Sequence, residues 1–344
     1  MISNKLYNMK LIIIGAGRMG MRHAIGAARN NNITEILLLD INASALDNAR
    51  IQLAQESLLH KFKLDLFDNL SALDFSADIA IIASPAKDRK EICRLLISKG
   101  AKDILVEKPL GQNLKEVEDL SSYIESTNVR AYVNLNMRLY PSFITLRDDL
   151  QNRPQLSGYK IFSINTGSIG IGANGIHYLD MLFFLFDADE AKIVAGEIEE
   201  DLLASGRGPD YGDFGGWCTI KFFANGDEVG RAHVSITAKS SVFGNWDIIA
   251  PFGHIIINEI EQERITTLRK EDSAMPIQRY GADYLPSLKS EFVSPFLGEL
   301  TSVWIDSIAN GESALPSISE SLKVHKLMFD WLELSQHHTV FPIT

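Results

Sequence analysis

The sequence is poor in cysteine, in long apolar runs and in positive charge. Cys93 and Cys218 are the two cysteines among 344 residues, and their spacing fits neither a disulfide framework nor a Cys/His metal site. No apolar run approaches the roughly 18 residues of a membrane span, and the N-terminal segment lacks the apolar core of a secretory signal. These absences predict no metal site, no membrane segment and a cytoplasmic location.

The formal net charge of the chain is −11. Nucleic-acid phosphates and anionic membrane surfaces both require a basic protein surface. The chain is therefore not expected to bind nucleic acid or membranes. A few local lysines and arginines would still suffice to bind an anionic small molecule.

Two domains are expected from the length and from a change of pattern along the chain. Buried strands and helices alternate over residues 1–135, which predicts an α/β domain with the doubly wound parallel sheet of a Rossmann fold. Residues 136–344 show successive strands separated by turn signals, which favours an α+β domain with a large, mostly antiparallel sheet. An amphipathic helix at 317–334 is expected to remain in the second domain or to pack back on the first.

A glycine-rich turn joins the first strand to the first helix, with the sequence Gly15-Ala16-Gly17-Arg18-Met19-Gly20. In a dinucleotide-binding turn, Gly15 permits the tight bend, Gly17 lets the backbone approach a pyrophosphate, and Gly20 lets helix and strand pack closely. The helix that opens at Arg18 and Met19 would offer backbone N–H donors to the phosphates. The alternative is a glycine-rich turn that binds nothing.

Asp40 ends the second strand, twenty residues after Gly20. A carboxylate at this place accepts hydrogen bonds from ribose hydroxyls and repels a 2′-phosphate, and none of the next three residues is an arginine that could accommodate NADP. The sequence therefore predicts NAD as the cofactor, with NADP disfavoured. The alternative is that Asp40 serves only as a helix cap or a turn residue.

Three further segments carry a recognisable pattern. Glu107-Lys108-Pro109-Leu110 lies at a strand end, Asn136 to Pro141 follows the next strand, and Gly175 to Asp180 opens a helix. Together with the glycine turn and the C-terminal helix, they resemble the Gfo/Idh/MocA family, the group of glucose–fructose oxidoreductase and inositol dehydrogenase. The resemblance spans most of the chain.

The resemblance implies an NAD-dependent oxidoreductase acting on a hydroxyl of a sugar, polyol or nucleotide sugar. Lys108 matches the active-site lysine of the family, His177 its catalytic histidine and Asp180 the acid one helical turn later. Hydride chemistry at a carbinol needs such a base and such a cation, and a histidine titrates near neutral pH. Lys108 and His177 are expected to converge on one substrate hydroxyl.

Other residues are assigned weaker roles by the same pattern. Ser84, Glu107 and Lys108 are expected at the cofactor, and Asn136, Arg138 and Asn174 are candidates for substrate contacts. For Asn136 and Arg138 a structural role is an equal alternative. His23, on the first helix, is expected to be a packing residue.

The chain departs from the family pattern at two places. Ala173 stands where the family often has an aspartate, and the stretch Ser84 to Arg89 lacks the asparagine and histidine of the usual TPNxxH. These departures concern the substrate more than the fold or the cofactor.

Two other functions remain open, an NAD-dependent glycosidase and a non-catalytic NAD-binding ligand sensor. The retention of both Lys108 and His177 argues against the sensor. A broad sheet in the second domain would leave one face to be covered, so a homodimer or homotetramer is expected. The glycine-rich segment Ser205–Gly216 is expected to be an irregular loop.

Overall fold

The computed structural model describes residues 7–69, 75–167, 169–204, 211–270, 282–334 and 343. The chain forms two compact units. The first comprises Met1–Leu139 and Pro295–Leu322, and the second comprises Tyr140–Ser294 and Lys323–Thr344.

A parallel sheet forms the centre of the first unit. Its six strands among the described residues are β1 (Met9–Ile14), β2 (Ile33–Leu39), β3 (Lys63–Phe67), β4 (Ile79–Ile82), β5 (Asp103–Val106) and β6 (Arg130–Val133). They lie in the order β3-β2-β1-β4-β5-β6. Helices α1 (Arg18–Arg29), α2 (Ala43–Gln55), α3 (Arg89–Ser98) and α4 (Leu114–Glu125) alternate with the strands. The predicted doubly wound Rossmann sheet is confirmed.

The strand order defines where a ligand can bind in this sheet. β1 pairs with β2 on one side and with β4 on the other, so successive connections leave the sheet in opposite directions from β1. A crevice forms at such a switch point, beyond the carboxyl ends of the strands. The residues of β4 are all buried and apolar, as expected for a strand covered on both faces.

A larger sheet forms the second unit, preceded in the chain by a short 3₁₀ helix at Asn136–Leu139 in the first unit. Within the described part of the second unit, its eight strands are β7 (Lys160–Gly167), β8 (Glu190–Ala204), β9 (Gly212–Ala224), β10 (Asp227–Thr237), β11 (Asn245–Ala250), β12 (Gly253–Asn258), β13 (Glu263–Leu268) and β14 (Leu288–Glu291). They lie in the order β14-β13-β12-β11-β7-β10-β9-β8. Only the pair β7–β10 is parallel among these strands, which confirms the mostly antiparallel sheet.

One face of this sheet packs on helices α5 (Pro141–Asn152) and α6 (Ile176–Phe186). Phe143 of α5 meets Trp246 of β11 with ring centroids 5.2 Å apart, and Phe186 of α6 stacks on Phe222 of β9 at 4.7 Å. Phe143, Phe222 and Trp246 are fully buried. Alternate residues of each strand enter this core because side chains of a strand point to opposite faces.

Residues Pro295–Leu322 return to the first unit, although a division of the sequence at residue 135 assigned everything after it to the second domain. Helix α7 (Leu297–Ala309) packs on α1, where Gly26 meets Gly298 so closely that a Cβ at Gly26 would lie 2.0 Å from the Gly298 carbonyl oxygen. The start of α8 (Ile318–Leu332) follows, and its approach segment bonds to β6 through the Val133 N–H and the Pro316 carbonyl.

The expected irregular loop at Ser205–Gly216 is wrong for its last residues. Gly212 to Gly216 belong to β9 and pair with β8, while residues 205–210 lie outside the described residues. A Cβ at Gly216 would lie 2.4 Å from the Glu197 carbonyl oxygen, so glycine permits this close pairing. None of the described helices combines the length and the apolar character that a membrane span requires.

Candidate active site

The three glycines of the turn after β1 occupy three different environments. Gly15 has a φ of +98°, and a Cβ there would lie 2.9 Å from the Ser84 nitrogen. A Cβ on Gly20 would lie 1.8 Å from the Gly15 carbonyl oxygen, so helix α1 packs directly on the turn. A Cβ on Gly17 would meet nothing within 4 Å. The turn is therefore closed toward the protein and open at Gly17, which suits a close approach of a pyrophosphate.

Helix α1 offers an unprotected N-terminus at this opening. Its cap residue is Gly17, no side chain caps it, and its first turn contains no acidic residue. By contrast, the side chains of Asn42 and Asn113 cap α2 and α4. Free N–H groups and a partial positive charge at the N-terminus attract phosphate. Exposed Arg18 and half-buried Met19 form this first turn.

Ser84 lies just beyond the end of β4, beside the glycine turn. Its hydroxyl oxygen is buried, and it has no hydrogen-bond partner among the described residues. Buried polar groups in native proteins normally have a hydrogen-bond partner, so the Ser84 hydroxyl is suited to hydrogen-bond a ligand. The open Gly17, the uncapped helix and this hydroxyl together fit the phosphate end of NAD.

Asp40 follows β2, and its carboxylate links the glycine turn to the turn that precedes α2. Its Oδ2 accepts a hydrogen bond from the Ala16 N–H at 2.7 Å, and its Oδ1 accepts one from the Asn42 N–H at 2.9 Å. Asn42, and not Asp40, caps α2. The carboxylate is half-buried, so its remaining lone pairs are available to ribose hydroxyls.

Lys108 lies after the end of β5, at the same edge of the sheet as the glycine turn and Asp40. Its side chain is half-buried, whereas Glu107 before it is only 1 % exposed. The Glu107 Oε1 accepts hydrogen bonds from His23 Nε2 at 3.0 Å and from Asn134 Nδ2 at 2.7 Å. A lysine at the carboxyl end of β5 is thus preceded by a firmly held carboxylate.

The environment of Glu107 fixes its charge. Burial alone would raise the pKa of Glu107. The opposing effects are larger and hold this pKa well below its ordinary value of 4.5: the hydrogen bond from His23, the charges of His23 and Lys108, and the hydrogen bond from Asn134. His23 is itself fully buried, and its Nδ1 lies 2.8 Å from the Thr301 hydroxyl of α7. His23 is therefore more than the packing residue expected from the sequence.

Asn136 and Arg138 lie in the short 3₁₀ helix that follows β6. Both are half-buried, and both follow the strand adjacent to β5 in the sheet. The structure thus brings the residues assigned to the first domain to one edge of one sheet. These are Gly15, Gly17, Arg18, Met19, Gly20, Asp40, Ser84, Glu107, Lys108, Asn136 and Arg138.

His177 and Asp180 lie on α6 in the second unit, and Asn174 lies in the π-helical turn Ile171–Gly175 just before it. His177 is half-buried, Asp180 is 1 % exposed, and Asn174 is exposed. Positions three apart on a helix share a face, which suits an acid that orients an imidazole. Because His177 is only half-buried, it is not enclosed in the helix–sheet core, and an acid/base residue has to be accessible in this way.

A carboxylate that the sequence did not single out supports the turn before His177. Asp213 of β9 accepts hydrogen bonds from the Gly172 N–H at 3.0 Å, the Ala173 N–H at 2.6 Å and its neighbour Phe214 N–H at 2.8 Å. A carboxylate therefore lies against Ala173, where the family pattern has an aspartate in the chain itself. No local signal identifies Asp213, because it is 40 residues from its partner Ala173.

A second carboxyl group, that of half-buried Glu259, lies near the start of α6. Glu259 accepts hydrogen bonds from Trp246 Nε1 at 2.7 Å and from the Tyr178 hydroxyl at 3.1 Å. Burial raises the pKa of Glu259, although these two hydrogen bonds oppose the shift. Burial and the nearby Glu259 also raise the pKa of Tyr178. This group ties the start of α6 to β11 and to the residue after β12.

The strand order of the first sheet and the glycine turn after β1 are those of a dinucleotide-binding Rossmann domain. Residues 9–135 match the sequence profile of an oxidoreductase family described by its NAD-binding Rossmann fold. Over these residues the chain is similar to the Gfo/Idh/MocA family.

Two dehydrogenases of Bacillus subtilis are similar to this chain in sequence. The chain is 26% identical over 201 residues to glucose-6-phosphate 3-dehydrogenase of Bacillus subtilis, a match that covers 52% of this chain and 54% of that protein. It is 24% identical over 324 residues to scyllo-inositol 2-dehydrogenase (NAD(+)) of the same organism, covering 90% and 89%. The chain thus spans about half the length of the first relative and most of the second.

A solved oxidoreductase from Agrobacterium radiobacter, in complex with NAD+, L-tartaric acid and magnesium, shares the fold. The TM-score is 0.72, and the alignment covers 96% of this chain and 97% of that one at 14% identity.

Proposed function

We propose that this protein is a dehydrogenase or reductase that uses NAD to oxidise or reduce a hydroxyl-bearing carbon of a sugar, polyol or nucleotide sugar. The observation that carries the proposal is the position of Lys108, at the carboxyl edge of the sheet that also carries the glycine turn and Asp40. The matched relatives named above are dehydrogenases of a sugar phosphate and of an inositol, which supports the substrate class.

Each catalytic residue has a distinct task in this proposal. NAD supplies the hydride acceptor or donor when it is bound. In the oxidation direction, His177 removes the proton of the substrate hydroxyl while a hydride leaves the same carbon. The ammonium group of Lys108 stabilises the negative charge that develops on that oxygen. In reduction, His177 returns the proton, so one residue serves as base and as acid.

Four further residues have supporting roles in this proposal. Asp180 holds the His177 imidazole in a fixed orientation, and Asn136, Arg138 and Asn174 contact the substrate. Asp40 accepts hydrogen bonds from the adenosine ribose and repels the 2′-phosphate of NADP, so NAD is preferred.

A substrate screen tests this function. Sugars, sugar phosphates, polyols and nucleotide sugars are incubated with NAD, or their keto forms with NADH, and the absorbance of NADH is followed. Lys108→Ala and His177→Ala serve as controls in which the rate of absorbance change should fall by about 10²–10⁴-fold. Release of a sugar without net formation of NADH would instead indicate a glycosidase, and NAD binding without any turnover would indicate a ligand sensor.

The open face of the large sheet supports self-association. Trp217, Ile249 and Ile256 are large apolar side chains on exposed positions of β9, β11 and β12, with exposed fractions of 37%, 52% and 38%. A second copy of the chain would cover this face and give a homodimer or homotetramer. Cys93 and Cys218 are free and buried, which suits a cytoplasmic protein.

A further inference from the structure

A buried arginine lies at the carboxyl ends of β4 and β5, and the mechanism above gives it no task. Arg89 is 2 % exposed. Its guanidinium group donates hydrogen bonds to the carbonyl oxygens of Glu107 and Pro109, and to that of Ser84 at 3.1 Å. An arginine stays charged in proteins, and burying a charge is costly unless hydrogen bonds compensate for it. The three carbonyl groups therefore compensate for the burial of the Arg89 charge.

The backbone before Arg89 is shaped to place it there. Asp88 has φ 60° and ψ 20°, a left-handed conformation that is uncommon for residues other than glycine but tolerated by aspartate. This turn makes Arg89 the first residue of α3, next to the strand ends.

The three carbonyl groups bonded to Arg89 lie next to Lys108 and to the glycine turn. Two of them, those of Glu107 and Pro109, flank Lys108 on either side. The third belongs to Ser84, whose nitrogen lies against Gly15 of the cofactor turn. One rigid, planar group thus joins the backbone around Lys108 to the backbone beside the glycine turn. Lysine could not replace it, because one ammonium group cannot span three carbonyls in the geometry of a guanidinium fork.

We propose that Arg89 is a positioning residue that fixes the backbone of Lys108 relative to the cofactor turn. Arg89 does not touch the substrate hydroxyl; it acts through Lys108, and this inference rests on the catalytic role proposed for Lys108. The neighbouring Glu107 side chain is held separately by His23 and Asn134. Loss of Arg89 therefore frees the Lys108 backbone while the Glu107 side chain keeps its partners.

The test compares Arg89→Ala and Arg89→Lys with wild type and with the control Arg130→Ala. Arg130 binds Asp103 at 2.8 Å and the Gly311 carbonyl at 3.3 Å, at the opposite ends of β5 and β6. A misplacement of about 1 Å costs about 10²-fold in rate. We therefore expect Arg89→Ala to lower kcat by about 10²-fold with little change in KM, and Arg89→Lys to recover only part of this loss. Guanidinium ion added below denaturing concentrations should restore activity to Arg89→Ala.

A second readout is independent of catalysis. Hydrogen exchange of the Lys108 and Leu110 amides should become at least about tenfold faster in Arg89→Ala because local opening becomes easier. The Arg130→Ala control should leave these amides and kcat unchanged.

The outcomes separate this inference from the proposed function. Unchanged exchange at Lys108 and Leu110 in Arg89→Ala overturns the inference, as does wild-type kcat in Arg89→Lys. A similar loss of kcat in Arg130→Ala would show a general effect of destabilisation and would also overturn it. If no substrate is turned over by the wild type, the proposed function fails, while the exchange experiment still decides whether Arg89 fixes the segment.

Discussion

The buried group formed by His23, Glu107 and Asn134 makes a quantitative prediction for the substitution Glu107→Gln. The carboxylate Oε1 receives two hydrogen bonds, and each hydrogen bond to a charged group contributes about 1.5–3 kcal/mol against about 0.5–1.5 for a neutral one. Glutamine keeps the shape and one acceptor but loses the charge. Its amide nitrogen would occupy the Oε2 position, which has no hydrogen-bond partner within the described residues. We expect the free energy of unfolding to fall by about 2–3 kcal/mol.

The pH dependence of this loss follows from the lowered pKa of Glu107. Because the folded-state pKa lies below the ordinary value of 4.5, the contribution of the carboxylate is complete above that value and is lost as the pH falls through the folded pKa. Glutamine does not titrate. The difference in stability between wild type and Glu107→Gln should therefore be largest near neutral pH and should shrink below pH 4.5.

Urea denaturation followed by tryptophan fluorescence measures both effects, at neutral pH and at about pH 3. The control is Glu56→Gln, the same substitution at a surface carboxylate that pairs with Arg29 at 2.7 Å with both side chains 44% exposed. Such a surface pair contributes about 0–1 kcal/mol. If Glu107→Gln unfolds at the same urea concentration as wild type, or if the difference grows on acidification, the assignment of a buried, charged Glu107 is refuted.

Three further predictions concern the cofactor, the chemistry and the assembly. Asp40→Asn should weaken NAD binding and narrow the preference over NADP, measured by fluorescence titration; equal affinities in the wild type would contradict the role of Asp40. His177→Ala and Lys108→Ala should each lower kcat by about 10²–10⁴-fold with little change in NAD affinity, and Asp180→Asn should cost less. Ile249→Glu should dissociate the oligomer in light scattering, and a wild-type monomer at micromolar concentration would refute the proposed interface.

The glycine turn and the first sheet were predictable because their signals are local. The strand, the turn, helix α1 and Asp40 lie within one βαβ unit. In this unit the residue type at each position is determined by contacts with residues close in sequence. The apolar runs of β1, β2 and β4 predict buried parallel strands for the same reason. The edge strand β3 leaves a weaker signal in the sequence, because its residues, Lys63–Phe67, are mixed in polarity and none is fully buried.

The sequence by itself therefore determined the Rossmann sheet, the cofactor turn and the residue types available for chemistry. The tertiary structure decided which of them are partners. Glu107 is 84 residues from His23, and the Thr301 beside His23 comes from a C-terminal segment that returns to the first unit. Asp213 likewise reaches Ala173 from another element of the second unit. Such pairs leave no periodicity or spacing in the sequence, because hydrogen bonds between distant residues depend on the packing of whole helices and strands and not on local propensity.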